Sequence, residues 1–164
     1  MLRPVVPADT PPLVALSASS GLFKPDELGA VEAMLEGYHA TPGDGHHILA
    51  WDEDGTLVGV VYFAPREFAD RVWEVLMIAV DAARHRQGIG SRLLEEVEVM
   101  TREANGRLLL IETSDKSSFE RTRQFYRKHG YAEVARIPDY FTDGDGKASF
   151  VKRLTSDSPT VEGK

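Results

Sequence analysis

Two apolar segments, RVWEVLMIAV (71–80) and RLLLIETS (107–114), are separated by a single glycine-opened amphipathic stretch. Short, nearly continuous apolar runs of this kind read as strands buried on both faces. The stretch between them reads as a helix from Gly88 to about Ala104. Ile89, Leu93, Val97 and Met100 form one stripe, while Arg92, Glu95, Glu96, Arg102 and Glu103 lie elsewhere. Asn105-Gly106 supplies its stop. A strand, a helix and a strand in that order make a crossover, and such a crossover joins parallel strands. The chain is thereby committed to a sheet with a parallel pair at its heart.

The remaining elements extend that sheet. LRPVV near the start reads as a short strand. Asp9 or Thr10 caps a helix with Pro11 in its first turn, running to about Ser19. Pro25 opens a second helix, with Leu28, Val31, Met34 and Leu35 on one face, ending near Gly37. HHILAWDEDGTLVGVVYFAP reads as a hairpin turning at Asp52-Glu53-Asp54-Gly55. Ser117 and Glu120 suggest a capping box for a helix through His129, which Gly130 ends. YAEVARI and KASFVKRL close the chain as strands around a turn-rich PDYFTDGDG. The expectation is an α/β (α+β) fold with a mixed central sheet of about seven strands and about four helices. Residues 1–154 should form a single domain, and 155–164, TSDSPTVEGK, a disordered tail.

Composition narrows the function. The net charge of −7 over 164 residues argues against nucleic-acid binding, which needs a basic face. The absence of cysteine excludes disulfides, Cys-ligated zinc and a cysteine nucleophile. No apolar run approaches the roughly 20 residues of a membrane span. The first residues also lack a signal-peptide layout, so a cytoplasmic protein is expected. No metal site is expected. His46 and His47 are adjacent and would point to opposite faces of a strand. DEDG and DGDG lack the spacing of a calcium loop.

Chemistry is concentrated in DAARHRQGIGS, where the first buried strand runs into the helix. A glycine-containing loop at a helix N-terminus is an anion site, because unpaired N–H groups and the helix dipole face outward there. Arg84 and Arg86 can add charge-assisted bonds. The nucleoside-triphosphate loop ends in Gly-Lys-Ser/Thr, whereas Gly90 is followed here by Ser91-Arg92. The dinucleotide fingerprint needs a third glycine where Leu93 stands. Neither common phosphate loop fits.

AVDAARHRQGIGSRLL, followed one strand later by RQFYRKHGY (123–131), resembles the two signatures of the GNAT superfamily of acyl-CoA-dependent N-acetyltransferases. The coarse element order of the whole chain also resembles that of GNAT domains. The resemblance implies acetyl-CoA as acyl donor, with its pyrophosphate on His85, Arg86, Gln87, Gly88, Ile89, Gly90 and Ser91. The pantetheine arm would lie along Ile78, Ala79 and Val80, where a backbone N–H could polarise the thioester carbonyl. Tyr126 matches the family's usual general acid. Two departures stand out. His85 holds the position three before Gly88, where Arg or Gln is usual. Phe119 stands where many members carry Asn, so either Ser117 or Ser118 takes over that contact or the contact is absent.

The acceptor amine must lose a proton to attack. Glu74 and Glu112 are both candidates for the base. Glu74 is preferred because its apolar neighbours would raise its pKa. Without cysteine, direct transfer in a ternary complex is the simpler scheme. The expected acceptor is a primary amine of a small or amino-acid-like molecule, and a homodimer is possible. A non-catalytic acyl-CoA-binding module and a protein N-terminal or lysine acetyltransferase are the alternatives. Trp51, Trp73, Tyr140 and Phe141 are readable as either acceptor-pocket lining or core.

Overall fold

The computed structural model describes residues 1–154, and the expected tail lies outside the described residues. The elements are β1 (Leu2–Pro4), α1 (Thr10–Ser19), α2 (Leu28–Ala40), β2 (His47–Glu53), β3 (Thr56–Pro65), β4 (Val72–Val80), α3 (Ile89–Glu103), β5 (Leu108–Ser114), α4 (Glu120–Lys128), β6 (Ala132–Thr142) and β7 (Asp145–Arg153). Their order is the expected one. The strands form a seven-stranded sheet in the order β1-β2-β3-β4-β5-β7-β6, with β4 and β5 as the parallel pair. The pairs β1–β2, β2–β3, β5–β7 and β6–β7 are antiparallel. Among the described residues no helix is long and apolar enough to cross a membrane.

The chain packs as two compact units. One comprises Met1–Pro65 with Val75–Val97, the other Arg66–Glu74 with the chain from Glu98 on. The division therefore falls inside β4 and inside α3.

In the first unit, Leu13 and Leu16 of α1 and Val31 and Leu35 of α2 bury against Ile48, Ala50, Val60, Tyr62, Met77 and Ala79 of the strands. Ile89 and Leu93 of α3 close over Gly59 of β3. Helix α2 runs past Gly37 to Ala40. A helical glycine costs only about 1 kcal/mol against alanine, and Tyr38 beyond it packs against this core. β4 departs from the expected two-sided burial. Val75, Met77 and Ala79 are buried, but Leu76 is 45% exposed and Ile78 and Val80 are half-buried. Strand alternation sends these two sets to opposite faces, and only the first set meets the helical core.

In the second unit, Leu109 and Ile111 of β5, Phe150 of β7 and Tyr126 of α4 are buried. Glu98 is buried too, accepting from Tyr131 Oη at 3.0 Å and from Lys152 Nζ at 2.9 Å. The expected capping box at α4 is absent. Ser117–Phe119 form a 3-10 turn, and the Glu120 carboxylate turns forward to Arg123 Nη2 at 2.7 Å. Arg123 is itself buried and donates to the Ser114 and Lys116 carbonyls, so its guanidinium outcompetes a backbone N–H for Glu120. The expected loop PDYFT is instead the end of β6, with the reversal confined to Asp143-Gly144. Pro138 and a left-handed Asp139 (φ 55°) interrupt its pairing without ending the strand.

Candidate active site

The loop between β4 and α3 belongs to the first unit. Asp81 starts it: its N–H donates to Val58 O at 2.9 Å and its carboxylate accepts from Ala83 N at 3.0 Å. This pins the turn to β3. Arg86 (φ 65°) and Gly88 (φ 81°) then take left-handed backbone conformations, which aim the chain into the start of α3. A Cβ placed on Gly88 would meet nothing within 4 Å, so the approach to the helix N-terminus is open. Helix α3 has 15 residues, long enough for its first N–H groups to present a real dipole. Arg86, Gln87 and Gly88 are exposed, Gly90 and Ser91 half-buried, and Ile89 is an anchor in the core.

Two basic groups of this loop have intramolecular partners. His85 Nε2 lies 2.9 Å from Val80 O. A carbonyl only accepts, so Nε2 carries the proton, and the imidazole ties the loop to the end of β4. Arg84 pairs with Glu53 at 3.0 Å. Among the described residues, Arg86 is the loop arginine without a carboxylate partner. Ala79 is buried; Ile78 and Val80 flank it, half-buried, on the opposite face of β4.

The second unit holds the proton-handling candidates. Glu74 is 7% exposed and accepts from Arg66 Nη1 at 2.9 Å. Burial pushes its carboxyl above the usual range, Arg66 pulls it back, and the charge of Glu112 adds to the rise. Glu112 pairs with Lys147 Nζ at 2.9 Å, and that ammonium sits 4.0 Å from the centre of the Tyr140 ring. The two carboxylates therefore share one electrostatic neighbourhood. Tyr126 packs its ring against Phe125, Tyr131 and Phe150. Burial raises the Tyr126 hydroxyl pKa, which keeps the phenol protonated. Ser118 is exposed on the turn before α4.

Arg66 and Lys147 were not singled out from sequence. Lys147 reaches Glu112 because Glu112 is opposite Ser149, which puts Lys147 on the diagonal. Of the four ambiguous aromatics, Trp73 is buried, and Trp51 is half-buried beneath Arg92, 5.6 Å from its guanidinium carbon. Tyr140 and Phe141 are exposed.

Residues 43–133 match the family model of the acetyltransferase (GNAT) domain. That match spans more than half of the chain, and the chain belongs to the GNAT family of acetyltransferases. No curated protein matches it. Among solved structures, a protein from Desulfovibrio desulfuricans assigned to the GNAT family is 28% identical, with a TM-score of 0.88 over 94% of this chain and 99% of that one. An aminoglycoside 6′-N-acetyltransferase complexed with coenzyme A is 17% identical, with a TM-score of 0.73 over 94% and 97%. The ribosomal-protein-S18-alanine N-acetyltransferase of Escherichia coli is 13% identical, with a TM-score of 0.78 over 99% of both chains. At those lower identities the likeness is one of fold.

Proposed function

We propose that this protein transfers an acetyl group from acetyl-CoA to a primary amine of a small or amino-acid-like acceptor, by direct transfer in a ternary complex. The observation that carries the reading is the open, left-handed Gly88 leading into the N-terminus of α3, with Arg86 exposed beside it. These residues fit an anionic diphosphate. A coenzyme A complex of a protein with the same fold agrees with that choice of ligand. We further propose that residues 1–154 act as a single domain in the cytoplasm.

Roles follow for each unit. The first supplies the amides of the loop from His85 to Ser91 for the diphosphate, and the half-buried edge at Ile78, Ala79 and Val80 for the extended arm. The bound acetyl-CoA supplies an acetyl group activated as a thioester. Glu74, directly or through a water, takes a proton from the acceptor ammonium and leaves a neutral amine. The amine nitrogen adds to the acetyl carbon to give a tetrahedral oxyanion; the carbon–sulfur bond then breaks and the nitrogen sheds its second proton. A backbone N–H from Ile78 to Val80 stabilises the oxyanion. Tyr126, kept protonated by burial, gives its proton to the departing thiolate, and the second proton shed by the amide nitrogen replaces it.

Calorimetric titration with acetyl-CoA tests the reading, run on the wild type and on Gly88→Glu. Binding that is lost in a folded Gly88→Glu supports it. Absence of wild-type binding sinks it. A panel of primary amines, followed by release of the CoA thiol, then identifies the acceptor class.

A further inference from the structure

The second unit gathers two carboxylates and two cations around Glu74. Glu74 holds Arg66 at 2.9 Å, and Glu112 holds Lys147 at 2.9 Å. The fields of Arg66, Glu112 and Lys147 all reach Glu74. Such an array is neutral as a whole and carries both signs. It is complementary to a ligand that also carries one charge of each sign, rather than to a polycation or an anion. The two cations differ in what they have left to offer. The Lys147 ammonium is occupied by Glu112 on one side and by the Tyr140 ring, 4.0 Å away, on another. Arg66 commits only Nη1, to Glu74 Oε2. Among the described residues its Nε and Nη2 have no hydrogen-bond partner, and its side chain is 54% exposed. Its backbone is nevertheless fixed, because Arg66 N donates to Val72 O at 2.7 Å, two residues before Glu74. Glu74 is likewise only half engaged, since among the described residues Oε1 has no hydrogen-bond partner. One ion pair thus offers a carboxylate oxygen and, beside it, an unused edge of a guanidinium fork, which is the shape that takes a carboxylate through two N–H groups.

We propose that Arg66 is a specificity-determining residue that takes the carboxylate of a free α-amino acid while Glu74 receives its ammonium group, so that the acceptor is an amino acid with its own carboxylate unblocked. This rests on the reading of Glu74 as the base. In an α-amino acid the two charged groups hang from one carbon, and the two protein groups that answer them are in contact with each other at 2.9 Å. Other amines fit less well. A peptide N-terminus carries an amide where the carboxylate would be, and gives Arg66 no charge to bind. A polyamine or an aminoglycoside brings further ammonium groups against Arg66.

The test is an acceptor panel followed by release of the CoA thiol. It contains the common L-amino acids, each beside its α-amide and beside the amine left when the carboxylate is removed, together with polyamines and aminoglycosides. The best amino acid should exceed its amide and its bare amine in kcat/KM by about tenfold, mostly through KM. Intrinsic reactivity runs the other way for the amide, whose amine sheds its proton more easily than that of the free acid. A preference for the acid therefore reports recognition. Arg66→Met should bring the ratio of acid to amide close to one. Arg66→Lys, which keeps the charge without the fork, should retain part of it.

Because Arg66 also pairs with Glu74, its loss lowers the turnover of every acceptor to some degree. The ratio of acid to amide is the readout that a merely supporting role would not move. An equal loss for acid and amide in Arg66→Met overturns the proposal. So does a wild type that acetylates the amide, the bare amine, a polyamine or an aminoglycoside as readily as any free amino acid. Acetyl transfer to an amine, the parent reading, survives those outcomes. Acetylation of no amine in the panel removes the parent reading and this proposal together. Should Arg66→Met fail to fold, the same ratio in Arg66→Gln decides.

Discussion

Ile89, the first residue of α3, lies so close over Gly59 of β3 that a Cβ on Gly59 would come within 2.8 Å of Ile89 Cγ2. Leu93 Cδ1 would be 3.1 Å away. Ile89 directly follows Gly88, so the height of the β4–α3 loop over β3 is set by a residue with no side chain. Gly59→Ala should destabilise the protein by about 1–3 kcal/mol through overpacking, measured by urea denaturation. It should also weaken acetyl-CoA binding. Unchanged stability would mean that α3 rides up without cost.

Gly88 presents the opposite case. Its φ of 81° strains any substituted side chain, yet the space around it is empty. Gly88→Ala should cost about 1 kcal/mol from backbone strain alone, and Gly88→Asn less, because asparagine tolerates the left-handed region. Parallel urea curves for the two variants check the ranking.

Tyr126→Phe removes one hydroxyl from a side chain only 4% exposed. If that hydroxyl protonates the thiolate, kcat should fall on the order of 100-fold with acetyl-CoA affinity unchanged. A kcat equal to wild type would return Tyr126 to the core as a packing residue.

Arg84 is held by Glu53 across a half-exposed ion pair. Glu53→Gln frees the guanidinium for an anionic ligand, so acetyl-CoA affinity should rise a few-fold at low salt and return toward wild type at high salt. Calorimetry at two ionic strengths reads this. An affinity indifferent to the substitution would show that Arg84 does not reach the ligand.

Asp9 accepts from Arg3 at 2.8 and 3.0 Å and from Val6 N at 2.8 Å. The Arg3 hydrogen bonds hold its carboxyl below the usual range, against the opposing effect of burial. A depressed carboxylate stabilises the fold above its unfolded pKa of about 3.9 and loses that contribution as pH falls through the folded value. Asp9→Asn should therefore cost about 2 kcal/mol at pH 7. The gap to wild type should narrow in strong acid, as urea midpoints across pH would show.

The sequence made legible whatever is decided locally. The run from Val75 to Glu98 announced strand, loop and helix because an apolar stretch, two glycines and a 3.6-residue stripe each act over a few neighbours. The GNAT resemblance rested on those same residues and on the FYRK stretch of α4. What stayed hidden was long-range. Nothing near Glu74 in sequence marks Arg66 as its partner, and Lys147 meets Glu112 only through the β5–β7 register. The misread cap at Ser117 has the same origin, since Glu120 answers to a buried Arg123 whose other bonds run to Ser114 and Lys116. Local rules also overweighted Pro138 and Gly37, which interrupt an element without ending it.

That interruption in β6 has a consequence for self-association. β6 is an edge of the sheet, and a bare edge invites strands from other molecules. Its ladder with β7 slips at Val134 and again after Ile137, where Pro138 has no N–H to give and Asp139 turns left-handed. A foreign strand laid along β6 would find even register only in short lengths, of about 10 Å for each three residues. The irregularities deny open-ended strand addition the long, flat template on which fibrils grow.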